Sequence, residues 1–193
     1  AAIDQYAAPD NRATYLAAMT EMLWDAAASS DPGSDHQLAF VRSFAGFAES
    51  EADLVRVRGL LDGTLLLDGL TVDTDLRWTL LQSLGAGGAV PEERLDEELR
   101  RDNTATGKRQ QALALAARPT AAAKATAWTA IVDDSNLPNA LLDATLGGFA
   151  QPGQRDVLEP YRDRYFAALD GIWRDRTPEM AQSITMLLYP FLL

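Results

Sequence analysis

Apolar residues recur along the chain at three-to-four spacing between clusters of Gly, Pro, Ser, Thr, Asp and Asn, the pattern of amphipathic helices joined by short turns. The first helix is predicted over residues 12–27, behind Pro9-Asp10-Asn11, with Tyr15, Leu16, Met19, Met22 and Leu23 along one face. After Ser29-Ser30-Asp31-Pro32-Gly33, a second helix over residues 37–48 places Phe40, Phe44 and Phe47, with Val41 and Ala48, on one broad stripe. These two are expected to pack antiparallel. Ser50-Glu51-Ala52-Asp53 has the form of a capping box with Asp in the Glu position, and the helix it opens should stop at Gly63, a residue suited to a left-handed cap. Residues 64–71 are the one candidate strand. Leu65-Leu66-Leu67 lacks β-branching, however, and lies between Gly63 and Gly69, so a buried connector is expected instead.

Helices continue to the end of the chain. Asp73 or Thr74 can cap one that carries Leu76, Leu80, Leu81 and Leu84 and ends at Gly85-Ala86-Gly87-Gly88. Pro91 opens an acidic helix running through Arg101, since a proline is tolerated in a first turn where its missing N–H costs nothing. An alanine-rich helix follows Asn103-Thr104 and closes at Arg118-Pro119, and Thr120 caps another through Trp128 and Val132. Ser135 starts one with Leu137, Leu141, Leu142 and Leu146, stopped by Gly147-Gly148, before a turn at Gln151-Pro152-Gly153. The last two are predicted over residues 161–175 and 178–189, the latter with Thr177 as cap. Serial helices with short connections predict an all-α fold, an irregular α-solenoid of stacked antiparallel helix pairs of HEAT or ARM type. The 193 residues suit one domain, 1–193.

Composition supports a folded chain: 47% of residues are hydrophobic and 23% charged. The balance of 17 basic against 28 acidic residues, a net charge of −11, repels phosphate backbones and anionic membrane surfaces, so neither nucleic acid nor a membrane is an expected partner. The absence of cysteine removes disulfides, thiolate metal sites and cysteine nucleophiles. No apolar run has the length of a membrane-spanning helix, and Ala1-Ala2-Ile3-Asp4-Gln5 lacks the basic-then-apolar order of a signal. An N-terminal alanine and a tail of Leu187-Leu188-Tyr189-Pro190-Phe191-Leu192-Leu193 give the expectation of a piece cut from a larger polypeptide.

No catalytic, metal-ligating or substrate-binding residue can be named from the chemistry present. A His-Glu-x-x-His zinc site needs two imidazoles, and the chain holds only His36, beside Asp35 at the start of a helix. A Ser-His-Asp device would need the same His36, without any Gly-x-Ser-x-Gly elbow. Gly107-Lys108 fits the end of a phosphate loop, but Asp102 replaces the first glycine and Arg109 the hydroxyl residue. Asp73-Thr74-Asp75 is accounted for by capping. Glu92, Glu93, Asp96, Glu97 and Glu98 read as a solvated helix face, with Glu97 and Arg101 as a four-residue pair. Trp24, Trp78, Trp128 and Trp173 lie on or beside apolar stripes and are expected in the core.

Particular stretches do resemble a known family. Asp102-Asn103-Thr104-Ala105-Thr106-Gly107, Ala116-Ala117-Arg118-Pro119-Thr120, Lys124 and Trp128 come first. Leu137-Pro138-Asn139, Gly148-Phe149, Gln151-Pro152, Gln154-Arg155, Leu158, Pro160-Tyr161, Arg164-Tyr165-Phe166 and Ile172-Trp173 follow in order, with Asp73-Thr74-Asp75-Leu76-Arg77-Trp78 upstream. Together they resemble the C-terminal helical domain of M1-family zinc aminopeptidases of the bacterial aminopeptidase N type. The resemblance implies a noncatalytic, cytoplasmic helical bowl whose partner is the catalytic domain of the same polypeptide. It also implies that this bowl closes over the catalytic face and gates access of peptide substrates. The zinc ligands and the catalytic glutamate of that family belong to preceding domains, so no cofactor is expected in this segment and none of those residues is carried over. The residue chemistry also leaves room for a stand-alone helical-repeat adaptor that binds another protein along its concave face.

Overall fold

The structure, a computed structural model, describes residue 3 and residues 6–192; Ala1, Ala2, Asp4, Gln5 and Leu193, part of the two termini read above, lie outside the described residues. Helices and turns account for the chain, with no strand among the described residues, so the all-α reading holds. The helices form two compact units, Ala1–Val90 and Pro91–Leu193, within each of which successive helices pack in solenoid-like fashion.

In the first unit the helices are α1 (Pro9–Ser29), α2 (Asp35–Phe47), α3 (Glu51–Asp62) and α4 (Thr74–Ala86). The expected caps Ser50 and Asp73 open α3 and α4, Ser34 caps α2 in addition, and α1 starts at Pro9 without a side-chain cap. Ser34 Oγ accepts from the Gln37 amide at 3.2 Å and Asp73 Oδ1 from the Leu76 amide at 2.9 Å. Ser50 Oγ accepts from the Asp53 amide at 3.2 Å while its hydroxyl donates to Asp53 Oδ2 at 2.7 Å, a variant of the capping box in which the acid binds the cap's own hydroxyl. Gly63, at φ +72°, ends α3 in the left-handed conformation that a Cβ would disfavour. Helix α1 packs on α2, α3 on α4, and α4 on α2, around Val41, Phe44, Val57, Leu76, Trp78 and Leu81.

Two expectations in this unit need correction. Tyr15 and Met22 are 50% and 59% exposed, because α1 meets α2 along a narrower strip holding Thr20, Leu23 and Ala27. The connector between α3 and α4 is indeed no strand, yet it is not buried throughout, since Leu66 is 79% exposed. What anchors it is Gln37, a polar side chain in the core. Its Nε2 donates to Asp68 O at 3.0 Å and Ala27 O at 3.4 Å, and its Oε1 accepts from the Gly33 amide at 2.9 Å, joining three chain segments.

The second unit comprises α5 (Glu92–Arg101), α6 (Ala105–Ala117), α7 (Ala121–Trp128), a π turn (Thr129–Asp133), α8 (Asn139–Phe149), the short α9 (Arg155–Leu158), α10 (Tyr161–Asp175) and α11 (Pro178–Leu187). Thr104, Thr120 and Thr177 cap α6, α7 and α11 by accepting from the amides of Gly107, Ala123 and Met180. Helices α6 and α8 make the most extensive contact, and a Cβ on Gly148 would lie 2.2 Å from the Leu113 carbonyl oxygen. Trp128, Phe149 and Tyr161 form a three-ring cluster at the core, with centroids 5.2–6.1 Å apart.

Here too the structure departs from the sequence reading. The helix expected from Ser135 begins at Asn139, because Pro138 at ψ 140° holds the preceding backbone extended. The helix through Val132 widens at Thr129 into the π turn. Trp173 is 53% exposed rather than buried, because its face of α10 points away from the cluster that Ile172 joins. The acidic helix is only partly a solvated face. Glu98 is buried, Glu92 pairs with Arg118 at 2.8 Å, Asp96 accepts from Gln111 at 2.7 Å, and Glu97 is engaged by Arg94 at 3.1 Å. Most of these contacts tie α5 to α6 and its end.

Candidate functional site

An open cavity in the second unit lies between α6 and α7 and measures about 560 Å³. It arises because both helices present small residues toward the angle made by the Arg118-Pro119-Thr120 turn: Ala112 and Ala116 on one side, Ala123 and Ala127 on the other. Thr145 of α8 also lines it, with its hydroxyl donated to Leu141 O at 2.7 Å. Arg118 and Glu92 sit at the rim, paired with each other at 2.8 Å. The walls offer van der Waals contact and few free polar groups, suited to packing and unsuited to bond-breaking chemistry. A second cavity of about 330 Å³ lies in the first unit between the end of α3 and the connector, lined by Leu60, Leu65, Leu67 and Leu70.

Next to the larger cavity lies Lys124, which is fully buried. Its Nζ donates to Ala116 O and Phe149 O, both at 2.7 Å, and stands 5.7 Å from the Phe149 ring centroid. These carbonyls belong to the last turns of α6 and α8, where helical carbonyls have no helical partner and the helix dipole is negative. Burial pushes the Lys124 pKa down from 10.5 to about 7. That value suits a general base, but an amine with no solvent exposure and both hydrogen bonds committed to main chain has no reach to a substrate. Lys124 is a cross-brace. Gln154 completes it by donating to Ala117 O at 2.8 Å, so consecutive carbonyls at the end of α6 are satisfied by side chains. Arg176 does the same for the π turn, donating to Ile131 O, Val132 O and Asp134 O at 2.8–3.1 Å.

The motifs weighed in the sequence resolve into structural parts. Asp73 caps α4, and Thr79 Oγ1 donates to Asp75 O at 3.1 Å. Gly107 is in the first turn of α6, where a Cβ would fall 2.1 Å from Asp102 O, so close approach of backbone accounts for the glycine. His36 is exposed in the first turn of α2. No group of three or more His, Cys, Asp and Glu side chains among the described residues is placed to hold a metal ion. No helix among the described residues is long and apolar enough to cross a membrane.

Sequence reasoning missed Lys124 and Arg176 as braces. A lysine within Ala121-Ala122-Ala123-Lys124-Ala125 has the composition of a solvated helix, and its only signal was its place in the resemblance drawn above.

Compared with known proteins, residues 2–192 match the family described as the ERAP1-like C-terminal domain. The chain is 47% identical over 189 residues to a protein described as Aminopeptidase N from Streptomyces lividans. That similarity takes in 98% of this chain, which spans 22% of the length of that relative.

Proposed function

Because the chain belongs to the ERAP1-like C-terminal domain family, we propose that it is the noncatalytic helical region of a zinc-dependent aminopeptidase, closing over the catalytic domain and gating access of peptides to it. The observation that carries this reading is the 47% identity to an Aminopeptidase N along nearly the whole chain. Identity of that level along nearly the whole chain makes a shared role the simplest account. In this role the helices supply a wall and a gate, while zinc and the bond-breaking groups belong to the partner, the catalytic domain of the same polypeptide. Stacked helix pairs suit such work, because each pair adds inward-facing side chains to an extended surface held stiff by the next. Closure would keep bulk water from the reacting peptide, and opening would release product. A cytoplasmic setting accords with a chain free of cysteine.

The test compares the full-length parent protein with the 193-residue chain on an aminoacyl anilide, with and without added zinc. The parent is expected to release the anilide product and to lose activity on chelation, and the isolated chain to release none. Turnover that co-purifies with the isolated chain, or a parent inactive with zinc on every aminoacyl anilide, would overturn the reading.

A further inference from the structure

Helices α10 and α11 carry a concentration of exposed large apolar side chains. Phe166, Trp173, Met186, Leu187, Tyr189 and Phe191 are each between 45% and 65% exposed, all within the last 28 described residues. Phe166 and Trp173 are seven residues apart, two helical turns, and so share a face of α10. The rings are also linked. Tyr165 lies 5.1 Å from Phe166 and 5.9 Å from Tyr189, and Tyr189 lies 4.7 Å from Phe191, measured between centroids. This is no frayed end. Tyr165 is buried and donates its hydroxyl to Thr185 O at 2.9 Å, and Ile184 and Leu188 beneath the exposed residues belong to the core.

Charge is scarce along α11, whereas on α10 the ion-paired Arg174 and Asp175, 2.8 Å apart, directly follow Trp173. Residues 178–192 contain a single charged side chain, Glu179, in a chain that is 23% charged. Depletion of charge together with exposed aromatics and methionine marks the centre of a protein–protein contact. The general acidity of the chain argues against nucleic acid as the occupant. The chain also spans only 22% of the Aminopeptidase N it matches, so a protein of that kind holds, on the same polypeptide, more than enough surface to cover this face at high effective concentration. We infer that the aromatic face of α10 and α11, with Trp173 and Phe191 as anchors, is the surface on which the preceding catalytic region docks. This rests on the reading given under Proposed function.

The experiment places a photo-crosslinking amino acid at Trp173, at Phe191, or at the exposed control position Val55 in the full-length parent. Expected are intramolecular cross-links from Trp173 and Phe191 to residues preceding the family domain, exceeding those from Val55. In parallel, Phe191→Asp should speed protease cleavage between that region and this one by roughly tenfold, the effect of weakening one anchor by about 1.4 kcal/mol. Cross-links confined to residues 1–90, to a second copy of the protein, or to no protein would each overturn the assignment, as would unchanged cleavage. Anilide turnover by the unsubstituted parent separates the two ideas. Turnover with any of those results sinks the docking face alone, whereas a parent without turnover sinks the enzymatic reading.

Discussion

Replacing Lys124 by methionine tests the cross-brace, because methionine keeps the length and apolar stem of the side chain and removes its donors. A neutral amine still carries two N–H groups, one for Ala116 O and one for Phe149 O. Methionine leaves both carbonyls without those donors, at about 1–3 kcal/mol each, so Lys124→Met should destabilise the chain by roughly 2–6 kcal/mol at pH 9. The pH dependence carries more information. Burial lowers the folded-state pKa from 10.5 to about 7, so between these values the unfolded chain binds more protons than the folded one. Stability therefore rises with pH across that window, reaches its full value above the unfolded pKa, and is lowest below about pH 7. Integrated from pH 7 to pH 9, the difference in unfolding free energy between wild type and Lys124→Met should widen by about 2 kcal/mol. Urea unfolding of both proteins at half-unit intervals from pH 6 to pH 9 reads this directly, and the subtraction removes groups common to both. Two helix C-termini and the Phe149 ring favour the ammonium and act against burial. A difference that stays flat from pH 6 to pH 9 would mean that they win, and would refute the dominance of desolvation.

Three further outcomes follow from the packing. Gly148→Ala should lower stability by about 2–3 kcal/mol, because its Cβ would lie 2.2 Å from Leu113 O and α6 and α8 would have to part; an unaltered melting temperature would contradict this. Gln37→Leu should cost about 2–3 kcal/mol and leave residues 64–73 open to protease, since it removes hydrogen bonds to Gly33, Ala27 and Asp68. Retained protection of that connector would show that Gly69 and its contact with Pro32 suffice. Arg176→Gln should speed amide exchange in the π turn more than in α7, as three carbonyl partners are lost at once; uniform exchange across both would count against the assigned role.

Helix positions were legible because the signals that set them are local. A threonine or serine accepts from an amide three residues on, and Gly63 at positive φ ends its helix, whatever the rest of the fold does. The family, too, was legible from short motifs in fixed order. Apart from the helix start that Pro138 moves from Ser135 to Asn139, what failed depended on distant partners. The apolar arc of α1 was read too wide, because how much of it is covered depends on α2, and the buried strip runs through Thr20, Leu23 and Ala27. Trp173 sits one residue from buried Ile172, and no local rule says which side of α10 faces the core. The π turn depends on Arg176, more than forty residues away in sequence.

The same distance dependence changes what charge means in this chain. Counted from sequence, Lys124 and Arg176 belong with the 17 basic residues that set the net charge and hence the choice of partner. In the fold, Lys124 faces two main-chain carbonyls without solvent exposure, and the Arg176 guanidinium is spent on three more. Arg118 and Arg56 are likewise held, by Glu92 and Glu21 at 2.8 and 2.7 Å. The cations free to meet a ligand are therefore fewer than composition implies, while exposed acids such as Asp25, Asp35, Glu51 and Asp75 remain at the surface. Each of these ion pairs occupies an acid as well as a base, so the acidic surplus recorded in the net charge of −11 is carried by the unpaired carboxylates at the surface.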